Sequence, residues 1–185
     1  MLSIYGNGKV RKNFDLRTSD GGFTEIAITT GTYRVYNSFL FGYNTLLDRD
    51  VYRVGLSVGL EKNIQDSFEN IESTTLFVNQ EFSFQHVFEG EWSSQKNRML
   101  SYKYMVGNRF GSGFSIYAGP SLNMQVTKVD EASDYSWYSL WSPTRKGKQY
   151  RFWVGFTVGM RLFNQKNLPL IKDEYDNDWG WGRDW

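Results

Sequence analysis

The 185-residue chain has no cysteine, one histidine and three prolines, and each shortage closes off a class of protein. Without cysteine there is no disulfide framework, which suits a chain that crosses an oxidising periplasm without needing one. A zinc or haem site needs clustered His, Cys or carboxylate ligands, and with His86 alone no metal site and no cofactor is expected. No apolar run approaches the ~18 to 20 residues of a membrane helix, and mean hydropathy is -0.53, which excludes helical spans but not barrels. Net charge is only +1 with both signs interleaved, so nucleic acid is not an expected partner. Met1 to Tyr5 lacks the basic start, apolar core and small-residue cleavage site of a secretory signal.

What is present is aromatic and glycine-rich: 18% Phe, Trp and Tyr with 18 glycines, a composition that favours an all-β chain with many short turns. Tyr150 to Phe163 shows the organising pattern. Phe152, Val154, Phe156, Val158, Met160 and Leu162 share one face of a strand; Trp153, Gly155, Thr157, Gly159 and Arg161 share the other. A solvated sheet face carries Lys, Glu and Thr, whereas a narrow lumen admits glycine, hydroxyls and a few charges. The pattern therefore predicts a transmembrane β-strand.

The same alternation recurs along the chain. Strands are predicted over Phe23–Thr30, Thr32–Asn44, Val51–Glu61, Thr74–Phe88, Leu100–Val106, Phe114–Thr127 and Tyr150–Phe163, with Met1–Tyr5 as a possible first strand and Lys9–Gly22 as a loop or a ragged hairpin end. Lys62–Ser73 reads as a polar connection, Gly107–Gly113 as a tight turn and Lys128–Lys148 as the longest loop. Pro120 predicts a bulge or an open ladder position. The outcome is an all-β, up-and-down antiparallel transmembrane β-barrel of about eight strands over residues 1–163, followed by an acidic, Trp-rich periplasmic tail over 164–185. A larger barrel with further strands is the other possibility within this class.

Hairpin geometry supplies an internal check. Centring one hairpin on Leu47-Asp48 sets Arg34 opposite Glu61, and centring another on Trp92 sets Glu81 opposite Lys103, all four on the inward face. Opposite charges across a strand pair stabilise a confined lumen. Arg53 and Arg161 are expected there too. In the longest loop, Tyr135, Trp137, Tyr138 and Trp141 form an aromatic cluster suited to gripping a partner, a glycan or the outer leaflet, or to covering the barrel rim. The tail sequence DEYDNDWGWGRDW holds Tyr175, Trp179, Trp181 and Trp185 among carboxylates and makes no core of its own, so it is either disordered or ordered by contact, and the favoured reading is a contact peptide.

With these residues in view, the stretch from Phe23 to Phe163 resembles, in pattern, the small outer-membrane β-barrel proteins of Gram-negative bacteria, the OmpA and OmpX type. In those proteins the last strand carries an assembly signal, an alternating apolar run ending in an aromatic, which Val158, Met160, Leu162 and Phe163 resemble. This chain departs in continuing through Asn164–Trp185. The resemblance implies a non-enzymatic integral protein of the bacterial outer membrane, with outer-membrane lipid around it. Its expected role is structural, accessory or surface-contact, through loop 128–148 and through an envelope protein partner on the tail. The alternative is a soluble lipocalin-like barrel, periplasmic or secreted, with the apolar faces turned inward around a small apolar ligand. A lipid-modifying outer-membrane enzyme is a further alternative, but His86 is followed by Val87, Phe88 and Glu89, with no adjacent serine.

Overall fold

The computed structural model describes residues 11–19, 22–31, 35–44, 51–66, 74–89, 97–110, 113–128 and 139–163. They form nine strands: β1 (Arg11–Ser19), β2 (Phe23–Gly31), β3 (Val35–Asn44), β4 (Val51–Asp66), β5 (Thr74–Glu89), β6 (Asn97–Phe110), β7 (Phe114–Lys128), β8 (Thr144–Arg145) and β9 (Lys148–Phe163). Every long strand pairs antiparallel with its sequence neighbour, and β1 pairs with β9 from Asn13↔Phe163 to Thr18↔Val158. The sheet therefore closes into an up-and-down barrel of eight strands, with the two-residue β8 laid on the start of β9. Closure leaves none of these strands with a long open edge.

Period-two patterning decides the faces. On β4, Arg53, Ser57 and Glu61 are buried while Leu56 is 65% exposed and Leu60 56% exposed. The same split holds on every long strand, so a belt of Phe, Leu, Ile and Val surrounds the barrel and polar side chains fill it. At eight strands the interior is just wide enough for side chains to fill. The lipocalin-like alternative required the opposite orientation and does not describe this chain.

Several boundaries differ from expectation. The first described strand is Arg11–Ser19, inside the stretch read as loop, and Met1–Tyr5 lies outside the described residues. Its polar residues Asn13, Asp15, Arg17 and Ser19 are lumenal and, of the outward residues Lys12, Phe14, Leu16 and Thr18, only Phe14 and Leu16 are apolar, so a short apolar stripe hid the alternation. β4 runs five residues past Glu61 to Asp66, through a bulge between Asn63 and Gln65. β6 starts at Asn97 and continues through Gly107 to Phe110, because Gly107 faces inward under Phe77 and Tyr117 instead of turning the chain. Thr144–Arg145 folds back on a β9 that begins at Lys148, and Lys146 and Gly147, at φ 51° and 71°, make the left-handed two-residue turn of a tight hairpin. At Pro120 the β6–β7 ladder lapses between Lys103↔Ser121 and Val106↔Ala118 without changing register, the open position expected of a residue with no N–H.

Arg11 and Phe163, the first residue of β1 and the last of β9, mark one end of the barrel, here the near end. Asn44, Val51, Glu89, Asn97, Lys128 and Lys148 end or begin their strands at the far end.

Candidate functional site

The barrel interior carries the densest chemistry. Arg17 on β1 reaches across the lumen to Glu81 on β5, with Nη1 and Nη2 donating to Oε1 and Oε2 at 2.6 and 2.9 Å. The same guanidinium donates from Nη2 to Asp15 Oδ2 at 3.0 Å and from Nε to the Tyr117 hydroxyl at 2.8 Å. Arg161 on β9 binds Asp15 through Nε and Nη2, at 2.9 Å to Oδ1 and 3.0 Å to Oδ2, and donates from Nη1 to Glu61 Oε2 at 2.5 Å. Arg109 Nη2 donates to the other Glu61 oxygen at 2.5 Å, and Lys103 Nζ to Glu25 Oε1 at 3.0 Å. These groups are almost wholly excluded from solvent. Stripping water from a charge costs several kcal/mol per ion, so such a layer is tolerable only where each charge has several partners.

Tyrosine and glycine shape the layer. Tyr36 on β3 lies opposite Gly59 on β4, and Tyr117 on β7 opposite Gly159 on β9. A Cβ at either glycine would overlap the facing ring, so each glycine makes room for a tyrosine laid flat over the neighbouring strand. The Tyr36 hydroxyl is thereby held 2.8 Å from Asn79 Oδ1 and 3.0 Å from Glu81 Oε2. Apolar side chains bracket the charges along the axis. Phe77, Met105 and Tyr117 cluster towards the near end, and Phe23, Val51, Val87 and Met99, with Trp153 against them, towards the far end.

Glu81 and Lys103, paired on sequence grounds, sit directly opposite in the β5–β6 ladder with Nζ 3.8 Å from Oε1. Val35 lies opposite Leu60, the register that centring on Leu47-Asp48 predicts; Arg34 itself lies outside the described residues, and Glu61 receives Arg109 and Arg161. Arg53 is lumenal, with its guanidinium 3.8 Å from the Phe23 ring centre and Nη2 donating to Ser19 Oγ at 2.6 Å. Of the loop aromatics, Trp141 is described. It is exposed, bridges to Phe152 and stacks on it at 5.2 Å. Tyr135, Trp137, Tyr138 and the tail residues Tyr175, Trp179, Trp181 and Trp185 lie outside the described residues.

Sequence reasoning missed Asp15 and Arg17, whose strand was read as loop, and Arg109, which was assigned to a turn. Continuing the period-two count from Phe14 and Leu16, and through Gly107, would have found all three. Among the described residues no group of His, Asp and Glu is arranged to hold a metal ion. His86 faces outward beside Phe88, ring centres 4.4 Å apart, remote from the buried carboxylates.

No protein-family model matches this sequence, and no curated protein matches it. Among solved structures, the N-terminal β-barrel domain of Pseudomonas aeruginosa OprF aligns over 82% of this chain and 96% of that one, with 14% identity and a TM-score of 0.45. The chain shares the closed eight-strand, up-and-down architecture of OmpA-type barrels, as its own register establishes.

Proposed function

We propose that this chain is an integral barrel of the Gram-negative outer membrane that works without catalysis, as a structural or surface-contact component. One observation carries the reading: every long strand turns large apolar side chains outward, and the inward faces hold mostly polar, charged or small residues. In water that belt would be a continuous apolar patch far beyond what soluble monomers expose, whereas in lipid it is the favoured surface. The packed charge layer and its two apolar brackets favour a filled interior over a wide diffusion pore.

Contact with partners then falls to segments outside the barrel wall. Loop 128–148, with Tyr135, Trp137, Tyr138 and Trp141, is the surface contact segment, and the acidic tail 164–185 engages an envelope protein. Fractionation of the native full-length chain, with gel mobility compared before and after boiling, tests the membrane reading. Recovery in the outer membrane with a heat-dependent shift is expected. A chain soluble without detergent would sink it. Capture on the 164–185 peptide, compared with a peptide in which Trp179, Trp181 and Trp185 are serine, tests the tail.

A further inference from the structure

Outside the barrel, at the far end, a groove of about 360 Å³ opens across β5, β6, β7 and β9. Its floor is apolar, from Phe84, Leu100 and Val126, with Tyr150 at its side, and Arg98, Lys128 and Lys148 line it with them. Each cation lies two residues beyond an apolar or aromatic outward residue of its own strand, Leu100, Val126 and Tyr150 respectively. The cations thus sit at the upper edge of the apolar belt and the floor lies within it.

The cations stand at adjacent ladder positions. Lys128 is directly opposite Lys148 in the β7–β9 ladder, and Lys148 is directly opposite Arg145 in the β8–β9 ladder. Cations gathered this closely raise the local positive potential, which favours an anionic ligand. The hairpin that brings Arg145 and Lys148 here turns through Lys146, a non-glycine residue at φ 51°. The described lining of the groove holds no carboxylate.

We propose that this groove binds a phosphate-bearing lipid of the surrounding leaflet, with the phosphate against Arg98, Lys128 and Lys148 and an acyl chain along Phe84, Leu100 and Val126. The inference rests on the membrane reading above. It selects a lipid over a soluble anion because the cations and the apolar floor share one groove, at the level where a headgroup meets its chains. Guanidinium and ammonium groups recognise phosphate by charge-assisted hydrogen bonds, and each cation near an anionic surface contributes about fivefold in affinity.

The test uses the folded full-length chain in a zwitterionic detergent, titrated with phosphatidic acid, with phosphatidylcholine of the same acyl chains, and with inorganic phosphate, with bound lipid counted by native mass spectrometry. Folding of every variant is confirmed by the boiling-dependent gel shift. Expected is one phosphatidic acid per chain, preferred over phosphatidylcholine, and a loss on the order of a hundredfold in the variant Arg98→Gln, Lys128→Gln, Lys148→Gln. The control variant Lys12→Gln, Lys62→Gln, exposed cations near the other end, retains the binding. Leu100→Ser is expected to weaken phosphatidic acid alone. Equal binding of the two lipids, or an undiminished signal in the folded triple variant, overturns the site. Displacement of the lipid by millimolar phosphate overturns its lipid character, and a chain that needs no detergent overturns both this inference and the membrane reading.

Discussion

The inner and outer faces of the barrel obey opposite rules with the same strands. Inside, charges are surrounded by partners: Arg17 alone touches Glu81, Asp15 and the Tyr117 hydroxyl, and Arg161 bridges Asp15 and Glu61. Outside, the mid-height residues are almost all apolar, and cations such as Lys128 and Lys148 stand at the far rim. An interior closed to water must answer its charges internally; an exterior in lipid keeps its charges at the edges of the belt. The contrast predicts where a substitution will hurt, and in which medium.

The largest effect is expected inside. Arg17→Met leaves Glu81 short of its main cation and Asp15 with Arg161 alone, and breaking a buried pair from one side costs about 3–5 kcal/mol. Urea unfolding of the chain in lipid bilayers should show that loss as a lower midpoint with unchanged slope. A midpoint equal to wild type would mean the layer is hydrated rather than sealed.

Next comes the outer belt, through Leu56→Arg. Leu56 is 65% exposed, so in water the change would be close to neutral; at mid-bilayer an arginine costs roughly 2–4 kcal/mol. Comparing unfolding in bilayers of different thickness sharpens this, since a thinner bilayer should shrink the penalty. An intermediate effect is expected for Gly59→Val, whose side chain displaces the Tyr36 ring and with it the contacts to Asn79 and Glu81, at about 1–3 kcal/mol. Pairing it with Tyr36→Ala should recover part of the loss, which separates ring overlap from a general strand effect.

The smallest change is expected at the rim. Trp141→Ala removes a ring stacked on Phe152 but no interior contact, and should shift stability by under about 0.5 kcal/mol. A loss of several kcal/mol would make the β8–β9 hairpin part of the fold rather than an appendage.

How much of this the sequence revealed follows from which contacts are local. β4, β5, β7 and β9 alternate over long runs, so their faces were legible, and hairpin centring gave the Glu81–Lys103 pairing because neighbouring antiparallel strands have one free parameter, the register. β1 was not legible: Phe14 and Leu16 are the only apolar residues on its outer face, and its polar side chains look solvated until the barrel is closed around them. The cross-lumen bonds were out of reach for a different reason. Arg17 and Glu81 stand on strands four apart in the ring and 64 residues apart in sequence, and only barrel closure brings them together. Arg109 was lost because Gly107 reads as a turn until Phe77 and Tyr117 are seen to occupy its empty side.

The central claim, that the apolar faces of these strands lie in lipid, has a direct test because the chain contains no cysteine. Single cysteines placed at Val54, Leu56, Ser57, Val58, Leu60 and Glu61 on β4 can each carry a spin label in the bilayer-reconstituted chain, with collision rates measured against oxygen and a water-soluble nickel complex. A period of two is expected: labels at Val54, Leu56, Val58 and Leu60 collide with lipid-dissolved oxygen, while those at Ser57 and Glu61 are shielded from it. Preferential collision of Leu56 and Val58 with the nickel complex, or a pattern without alternation, would contradict it.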